Sequence, residues 1–263
     1  MSLPRLVATD LDGTLLRSDG SVSARTASVL RDLLDRGVEV VFVTARPLRW
    51  MTRLWPYVGS RGLAVVSNGA LLLDVATGDP LEVHGIDPAS GLALAAAIRA
   101  AVPGCHFAVE TLSGIALDPS YDEPHHAPPD SPRGDLGAVW TEPALKLLVR
   151  HPSMDPEAFR AAVEQVVGEA ATPTWTVDGL VEISAADVTK GAALARLCQL
   201  RGVASGDVLA FGDMPNDLPM LGWAGTSYAV ANAHSSVLAA ADHVAPANDE
   251  DGVAVVLART FGL

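Results

Sequence analysis

Residues 6–16 read Leu-Val-Ala-Thr-Asp-Leu-Asp-Gly-Thr-Leu-Leu. A short apolar run, Leu6 to Thr9, is followed at once by Asp10, Asp12 and Gly13. Three more runs follow the same plan. Val38 to Val43 leads into Thr44-Ala45-Arg46, and Leu63 to Val66 into Ser67-Asn68-Gly69. Val208 to Phe211 leads into Gly212-Asp213-Met214-Pro215-Asn216-Asp217. Strands that are apolar without alternation belong to sheets covered on both faces, as parallel α/β sheets are. Apolar residues at helical spacing separate them. They run over Ser23 to Arg36, stopped by Gly37, and over Thr189 to Arg201, stopped by Gly202. The alternation predicts an α/β fold with a doubly wound, parallel-sheet core.

The middle of the chain has another rhythm. Asp87 to Val102 reads as a helix, and His106 to Glu110 with Gly114 to Asp118 as a hairpin. Tyr121 to Asp135 is crowded with Pro, Asp and His and reads as an exposed loop. Leu145 to Arg150 is strand-like, Asp155 to Ala170 helical, and Trp175 to Ile183 a hairpin about Asp178-Gly179. The expected division is a core from residues 1–80 and 187–263, with an α+β cap inserted at 81–186.

At 263 residues and 49% hydrophobic content, the chain can bury a sizeable core. No apolar run approaches the roughly 20 residues that span a bilayer. The opening MSLPRLVATD meets an acidic residue too early for a secretion signal. Cys105 and Cys198 lie far apart and form no CxxC, which argues against structural disulfides and cysteine metal sites. A cytoplasmic protein is expected. A net charge of −13 should repel nucleic acid and anionic membrane surfaces. It should also repel a phosphorylated ligand, unless a cation reverses the local field. Neither a nucleic acid nor a membrane is an expected partner. Nothing marks an interface, and a monomer or a homodimer fits equally.

In open α/β sheets, ligands bind beyond the carboxyl ends of the strands. Parallel strands would bring Asp10, Asp12 and Asp213 to one edge. Gathered carboxylates repel, which raises a pKa or demands a cation. Hard oxygen ligands in an acidic pocket suit Mg²⁺. Lys190 opens a helix, where the macrodipole already supplies partial positive charge, and makes sense beside an anion. Thr44 and the neighbouring amide of Ala45 precede an apparent helical run, Pro47 to Leu54, and could bind phosphate. A carboxylate nucleophile divides phosphoryl transfer into two easier steps. Asp10 would attack phosphorus. Asp12 would protonate the leaving oxygen and then deprotonate the hydrolytic water.

Each feature alone has a plainer reading. Asp-x-Asp-Gly fits a turn or a calcium loop, although Ser21 stands where a closing glutamate belongs. Thr44 fits an N-cap, Lys190 a solvated lysine, and Asn216 with Asp217 a helix cap. His125 and His126 fit either metal ligands or a solvated loop. Arg46, Arg49 and Arg53 share one helical face, with Arg46 near enough to meet substrate. Trp50, Trp55, Trp223 and Cys198 read as packing residues. The joint appearance of the acidic and phosphate-binding candidates, in order and at strand ends, favours the site.

Asp-Leu-Asp-Gly-Thr-Leu-Leu at 10–16, Thr44, Lys190-Gly191 and Gly-Asp-x-x-Asn-Asp at 212–217 resemble the four motifs of the haloacid dehalogenase (HAD) superfamily. Ser67-Asn68-Gly69-Ala70, Val181-Glu182-Ile183, Ala231-Asn232-Ala233 and Asp249-Glu250-Asp251-Gly252-Val253 resemble segments of its Cof-type branch with a C2B cap. The resemblance implies Asp10 as nucleophile and Asp12 as acid/base. It implies Mg²⁺ held by side-chain oxygens of Asp10 and Asp213 and by the main-chain carbonyl of Asp12. Asn216 would then assist phosphate binding and Asp217 support the metal ligands. Ala45 stands where the branch usually has glycine. The implied activity is hydrolysis of small phosphomonoesters, sugar phosphates first, through a phospho-aspartyl intermediate. A phosphomutase of the same superfamily and a non-hydrolytic phospho-acceptor protein are the alternatives. A poised acid at Asp12 and a large insertion argue against the second.

Overall fold

The structure is a computed structural model and describes residues 3–59, 62–122 and 127–263. His125 and His126 lie outside the described residues. The strands in chain order are β1 (Leu6–Thr9), β2 (Glu39–Val43), β3 (Leu63–Val66), β4 (Leu71–Asp74) and β5 (Pro80–Val83). Then come β6 (His106–Glu110), β7 (Ile115–Leu117), β8 (Lys146–Arg150), β9 (Ala171–Thr174) and β10 (Leu180–Ala185). Last are β11 (Val208–Gly212), β12 (Thr226–Val230) and β13 (His243–Ala245). The helices are α1 (Ala24–Asp35), α2 (Pro88–Ala101), α3 (Leu136–Val139), α4 (Pro156–Val167), α5 (Lys190–Arg201), α6 (Leu218–Trp223), α7 (Ser235–Ala240) and α8 (Gly252–Phe261).

The chain divides into two compact units, 1–82 with 189–263, and 83–188. The first is built on an eight-stranded sheet of order β13-β12-β11-β1-β2-β3-β4-β5. From β13 to β3 every neighbouring pair is parallel, and β4 turns back antiparallel on β3. The central strands are buried apart from Glu39 at the start of β2, as their apolar sequences require. Leu6, Ala8, Val41, Val43 and Val65 pack with Leu194, Leu197 and Cys198 of α5 and Met220 of α6. Helix α1 buries Val29, Leu30 and Leu33 and packs on α8. Sequence runs outward from β1 in both directions, to β2 on one side and to β11 on the other. That makes the β1 end a topological switch point, where α/β sheets open a crevice.

The second unit is a five-stranded sheet of order β7-β6-β8-β10-β9, antiparallel at every pair. One face alternates Phe107, Val109, Leu147, Val149, Val181 and Ile183, and packs on Ile98 of α2 with Phe159, Val163 and Val167 of α4. The other face carries Ala108, Leu117, Leu148 and the buried Lys146–Glu182 pair at 2.5 Å.

Several expectations need correction. Pro47 to Leu54 is not a regular helix. It holds one short 3₁₀ turn, Leu48–Trp50, and a second follows at Trp55–Tyr57. The proline and the aromatic residues favour tight turns there over a continuous helix. The three arginines of that run therefore share no helical face. The last hairpin pairs Ala171–Thr174 with Leu180–Ala185, so Trp175 to Gly179 form its loop and not its first strand. Tyr121 to Asp135 is not wholly exposed: Tyr121 is buried with Leu117 and Leu148. Strands β4, β5, β12 and β13 extend the core sheet beyond the four runs read from the sequence. Cys105 and Cys198 are buried and free. No helix among the described residues is long and apolar enough to cross a membrane.

Candidate active site

The register of the parallel strands brings the candidate residues together. Thr9 lies opposite Phe42 of β2 and Phe211 of β11. Asp10, Thr44 and Asp213 therefore leave the sheet near one level. After Asp10 the chain makes a single wide turn over Leu11–Leu15, with Gly13 at φ +78°. A side chain there would be strained, and its Cβ would collide with Asp213 Oδ2. Gly13 thus admits the Asp213 carboxylate, which also accepts the Thr14 hydroxyl at 2.7 Å.

Lys190 lies at the first helical position of α5, where Thr189 caps the helix by accepting from the Ala192 amide. Its side chain is only 2% exposed. Its Nζ donates to Asp10 Oδ1 and to Asp217 Oδ1, each at 2.6 Å. Asp217 Oδ2 accepts the amides of Asp213 and Met214, both at 3.0 Å. Asp217 therefore fastens the ammonium to the turn that carries Asp213. Asp10, Asp213 and Asp217 each offer one carboxylate oxygen, and these lie within 4.8 Å of one another. Three buried carboxylates face one ammonium.

The protonation energetics carry that excess. Burial pushes Asp10 well above the ordinary carboxylate range; Lys190 opposes the shift, while Asp217 and Asp213 add to it. Burial, then the Asp217 charge, pushes Asp213 up to about 6. Burial opposes the charge on Lys190, but Asp10 and Asp217 outweigh it and its pKa rises. The donor set fits a hard divalent cation: carboxylate oxygens, an uncompensated negative charge, and a cradle at Gly13 that a side chain would fill. Asp217 already uses both oxygens on Lys190 and the 213–214 amides, so Asp10 and Asp213 would be better placed to hold such an ion.

Asp12 stands apart from the trio. Its carboxylate, 58% exposed, is clasped by Arg46, with Nη2 at 2.6 Å from Oδ1 and Nε at 2.7 Å from Oδ2. The Asp12 hydrogen bond raises the Arg46 pKa. An ionised carboxylate accepts both guanidinium donors, whereas a protonated one would give up one of them. Thr44 is fully buried and caps a turn, not a helix. Its hydroxyl accepts the Arg46 amide at 3.0 Å, and its carbonyl accepts the Asn68 amide at 3.0 Å. Ala45 occupies the same turn, half-buried. Asn216 sits in the 3₁₀ turn Pro215–Asp217 and donates through Nδ2 to Asn68 Oδ1 at 3.0 Å.

Sequence reading offered Arg46 as a substrate contact and missed its grip on Asp12. It also missed the amides that hold the Asp10 loop. Asn232 Nδ2 donates to the Gly13 carbonyl at 2.8 Å, and Asn248 Nδ2 to the Leu16 carbonyl at 2.9 Å. Asn232 Oδ1 accepts the Asn248 amide at 2.9 Å, which links the two. The signal for Asn232 was the Ala231-Asn232-Ala233 segment that resembles the Cof-type branch, and Asn248 directly precedes the second such segment, Asp249 to Val253.

Comparison with known proteins agrees with this geometry. Residues 7–257 match the family of haloacid dehalogenase-like hydrolases. The chain is 28% identical to the 5-amino-6-(5-phospho-D-ribitylamino)uracil phosphatase YitU of Bacillus subtilis (strain 168), over 99% of this chain and 98% of that one. It is 27% identical to the HMP-PP phosphatase of Enterobacter sp. (strain 638), over 92% and 89%. It superposes on the crystal structure of SMU.1108c from Streptococcus mutans UA159 with a TM-score of 0.86, at 25% identity and full coverage of both chains. With a family match across nearly its whole length and an acidic trio beyond the central strands, this chain belongs to the haloacid dehalogenase-like hydrolases of the Cof-type branch and is a phosphatase.

Proposed function

We propose that the enzyme hydrolyses small phosphomonoesters, sugar phosphates foremost, in a Mg²⁺-dependent reaction through a phospho-aspartyl intermediate on Asp10. One observation carries the reading: Lys190 holds Asp10 Oδ1 at 2.6 Å at the switch point, among carboxylates in excess. The lysine fixes the orientation of the nucleophile and places a positive charge where a phosphoryl group would arrive.

In the first step an Asp10 carboxylate oxygen attacks phosphorus and the ester P–O bond breaks. The leaving oxygen takes a proton from the Asp12 carboxyl. In the second step Asp12, now ionised, takes a proton from water, and the water oxygen attacks phosphorus. The bond from phosphorus to the Asp10 oxygen breaks, orthophosphate departs, and both side chains regain their starting states. The ion pair to Arg46 suits the ionised Asp12 of the second step. To act as acid, Asp12 must take up a proton and loosen one contact to that guanidinium. A Mg²⁺ ion held by Asp10, Asp213 and the Asp12 carbonyl would supply positive charge for the phosphoryl oxygens. Lys190, Thr44, the Ala45 amide and Asn216 would bind those oxygens from the protein side, with Asp217 holding Lys190 in place.

All these groups recognise phosphate and none reads a leaving group. We assign that selection to residues 81–186. The phosphorylated ribityl chain in the name of the B. subtilis relative supports a polyhydroxylated leaving group. The test is a panel of phosphate esters with Mg²⁺ or with EDTA, followed by release of inorganic phosphate, beside the Asp10→Asn variant. Mg²⁺-dependent release that the variant lacks is expected. No release from any ester, with a phosphoryl label retained on the wild type, would overturn hydrolysis in favour of a mutase or a phospho-acceptor.

A further inference from the structure

The turn after β3 is strained where strain is not needed for the backbone alone. Ser67 has φ +52° and Asn68 φ +58°, followed by Gly69 at +105°. Among the described residues four non-glycines have positive φ, and these two are the only adjacent pair. Glycine would adopt both conformations freely, so the cost points to the side chains. The backbone itself is well anchored. The Ser67 amide donates to the Arg46 carbonyl and the Asn68 amide to the Thr44 carbonyl, each at 3.0 Å. A Cβ at Gly69 would strike the Thr189 carbonyl, so the turn lies against the start of α5 as well.

Asn68 is 1% exposed, and its Oδ1 accepts the Asn216 Nδ2 at 3.0 Å. An amide nitrogen carries two hydrogens. This bond uses one and fixes the plane of the other. Two side-chain atoms here are buried with no hydrogen-bond partner among the described residues: Asn216 Oδ1 and Ser67 Oγ. They are two of five such atoms among the described residues, one in this turn and one in the turn Pro215–Asp217 that it hydrogen-bonds. The Ser67 hydroxyl, a donor, can be completed by an oxygen of a bound anion, and the Asn216 Oδ1, an acceptor, by water.

We propose that Asn68 is a positioning residue: it orients the Asn216 amide so that its second N–H meets an oxygen of the bound phosphoryl group. The inference rests on the phosphatase reading of this site. It assigns a function to the left-handed turn that carries the Asn68 side chain to Asn216.

The test titrates inorganic phosphate calorimetrically, in Mg²⁺ buffer, into the wild type, Asn68→Gly, Asn216→Ala and the double variant, with thermal melts of all four. Asn68→Gly relieves the backbone strain but strands the buried Asn216 Nδ2, so the two effects oppose and its melting temperature should stay within about 5 °C of the wild type. It should nevertheless bind phosphate roughly tenfold more weakly, as loss of a charge-assisted hydrogen bond implies. The double variant should bind no more weakly than Asn216→Ala alone, since Asn68 acts through Asn216. Wild-type phosphate affinity in Asn68→Gly, losses that multiply in the double variant, or no phosphate binding by the wild type would each overturn the assignment. The readout is binding and not turnover, so failure of hydrolysis and failure of the Asn68 assignment give different results.

Discussion

Lys146 and Lys190 are the only lysines in the chain, and both are buried beside carboxylates. Lys146 stands on β8, with Glu110 opposite it on β6 and Glu182 of β10 at 2.5 Å from its Nζ. Strand register alone builds that arrangement. Lys190 stands in the first turn of α5, where the helix dipole disfavours a cation, and is shared between Asp10 and Asp217 with Asp213 beside them. Burial pushes the Asp10 and Asp213 carboxyls upward around it. A buried lysine is therefore no sign of function in itself. The functional sign is a cluster of three carboxylates at a sheet edge where parallel strands end.

The strongest way to break this contrast is Asp10→Asn. The change keeps the shape, removes the nucleophile and relieves repulsion among the carboxylates. Phosphate release should fall by at least about a thousandfold, while the melting temperature holds or rises. Release within tenfold of wild type would remove Asp10 from the reaction. Lys190→Met should lower kcat/KM by roughly a hundred- to a thousandfold, as loss of one preorganised group at a developing charge does. Activity near wild type would make Lys190 a structural lysine like Lys146.

Metal dependence sharpens the comparison further. Saturating Mg²⁺ should raise the melting temperature of the chelator-treated protein by about 5 °C or more, through binding to the native state only. In Asp213→Asn that rise should largely vanish, and an undiminished rise would place the metal elsewhere. Lys146→Met should cost about 3 kcal/mol of stability in denaturant melts by stranding Glu182. It should leave the affinity for inorganic phosphate unchanged. Adding Glu182→Leu should recover most of the loss, to within about 1 kcal/mol. A loss of phosphate affinity in Lys146→Met would break the contrast from the other side.

Much of the core was legible because its signal is local. Leu6–Thr9, Leu63–Val66 and the helix over Thr189 to Arg201 each read correctly from apolar patterning and a bounding glycine or polar residue. Strands β12 and β13 were not, because Thr226–Val230 and His243–Ala245 hold polar residues and owe their strand form to a neighbour already in place. The segment after Thr44 misled for a related reason. Its arginines repeat at helical spacing, but the proline and aromatic residues settle into successive 3₁₀ turns. In the site, the identities at strand ends were legible and their partners were not. Nothing near Asp12 in the sequence announces Arg46, and nothing near Asn216 announces Asn68.

The strand ends, the order of the acidic and basic residues placed there, and the helical start at Lys190 are written locally in the chain. Those depend on burial patterns and turn chemistry within a few residues. Tertiary packing alone sets Asp217 on Lys190, Arg46 on Asp12 and Asn68 on Asn216. These pairings join segments far apart in the chain, through parallel register and the packing of α5 against the sheet. Hydrophobic periodicity carries no information about which carboxylate oxygen meets which donor. That is settled when the strands align and each buried polar atom must find a partner.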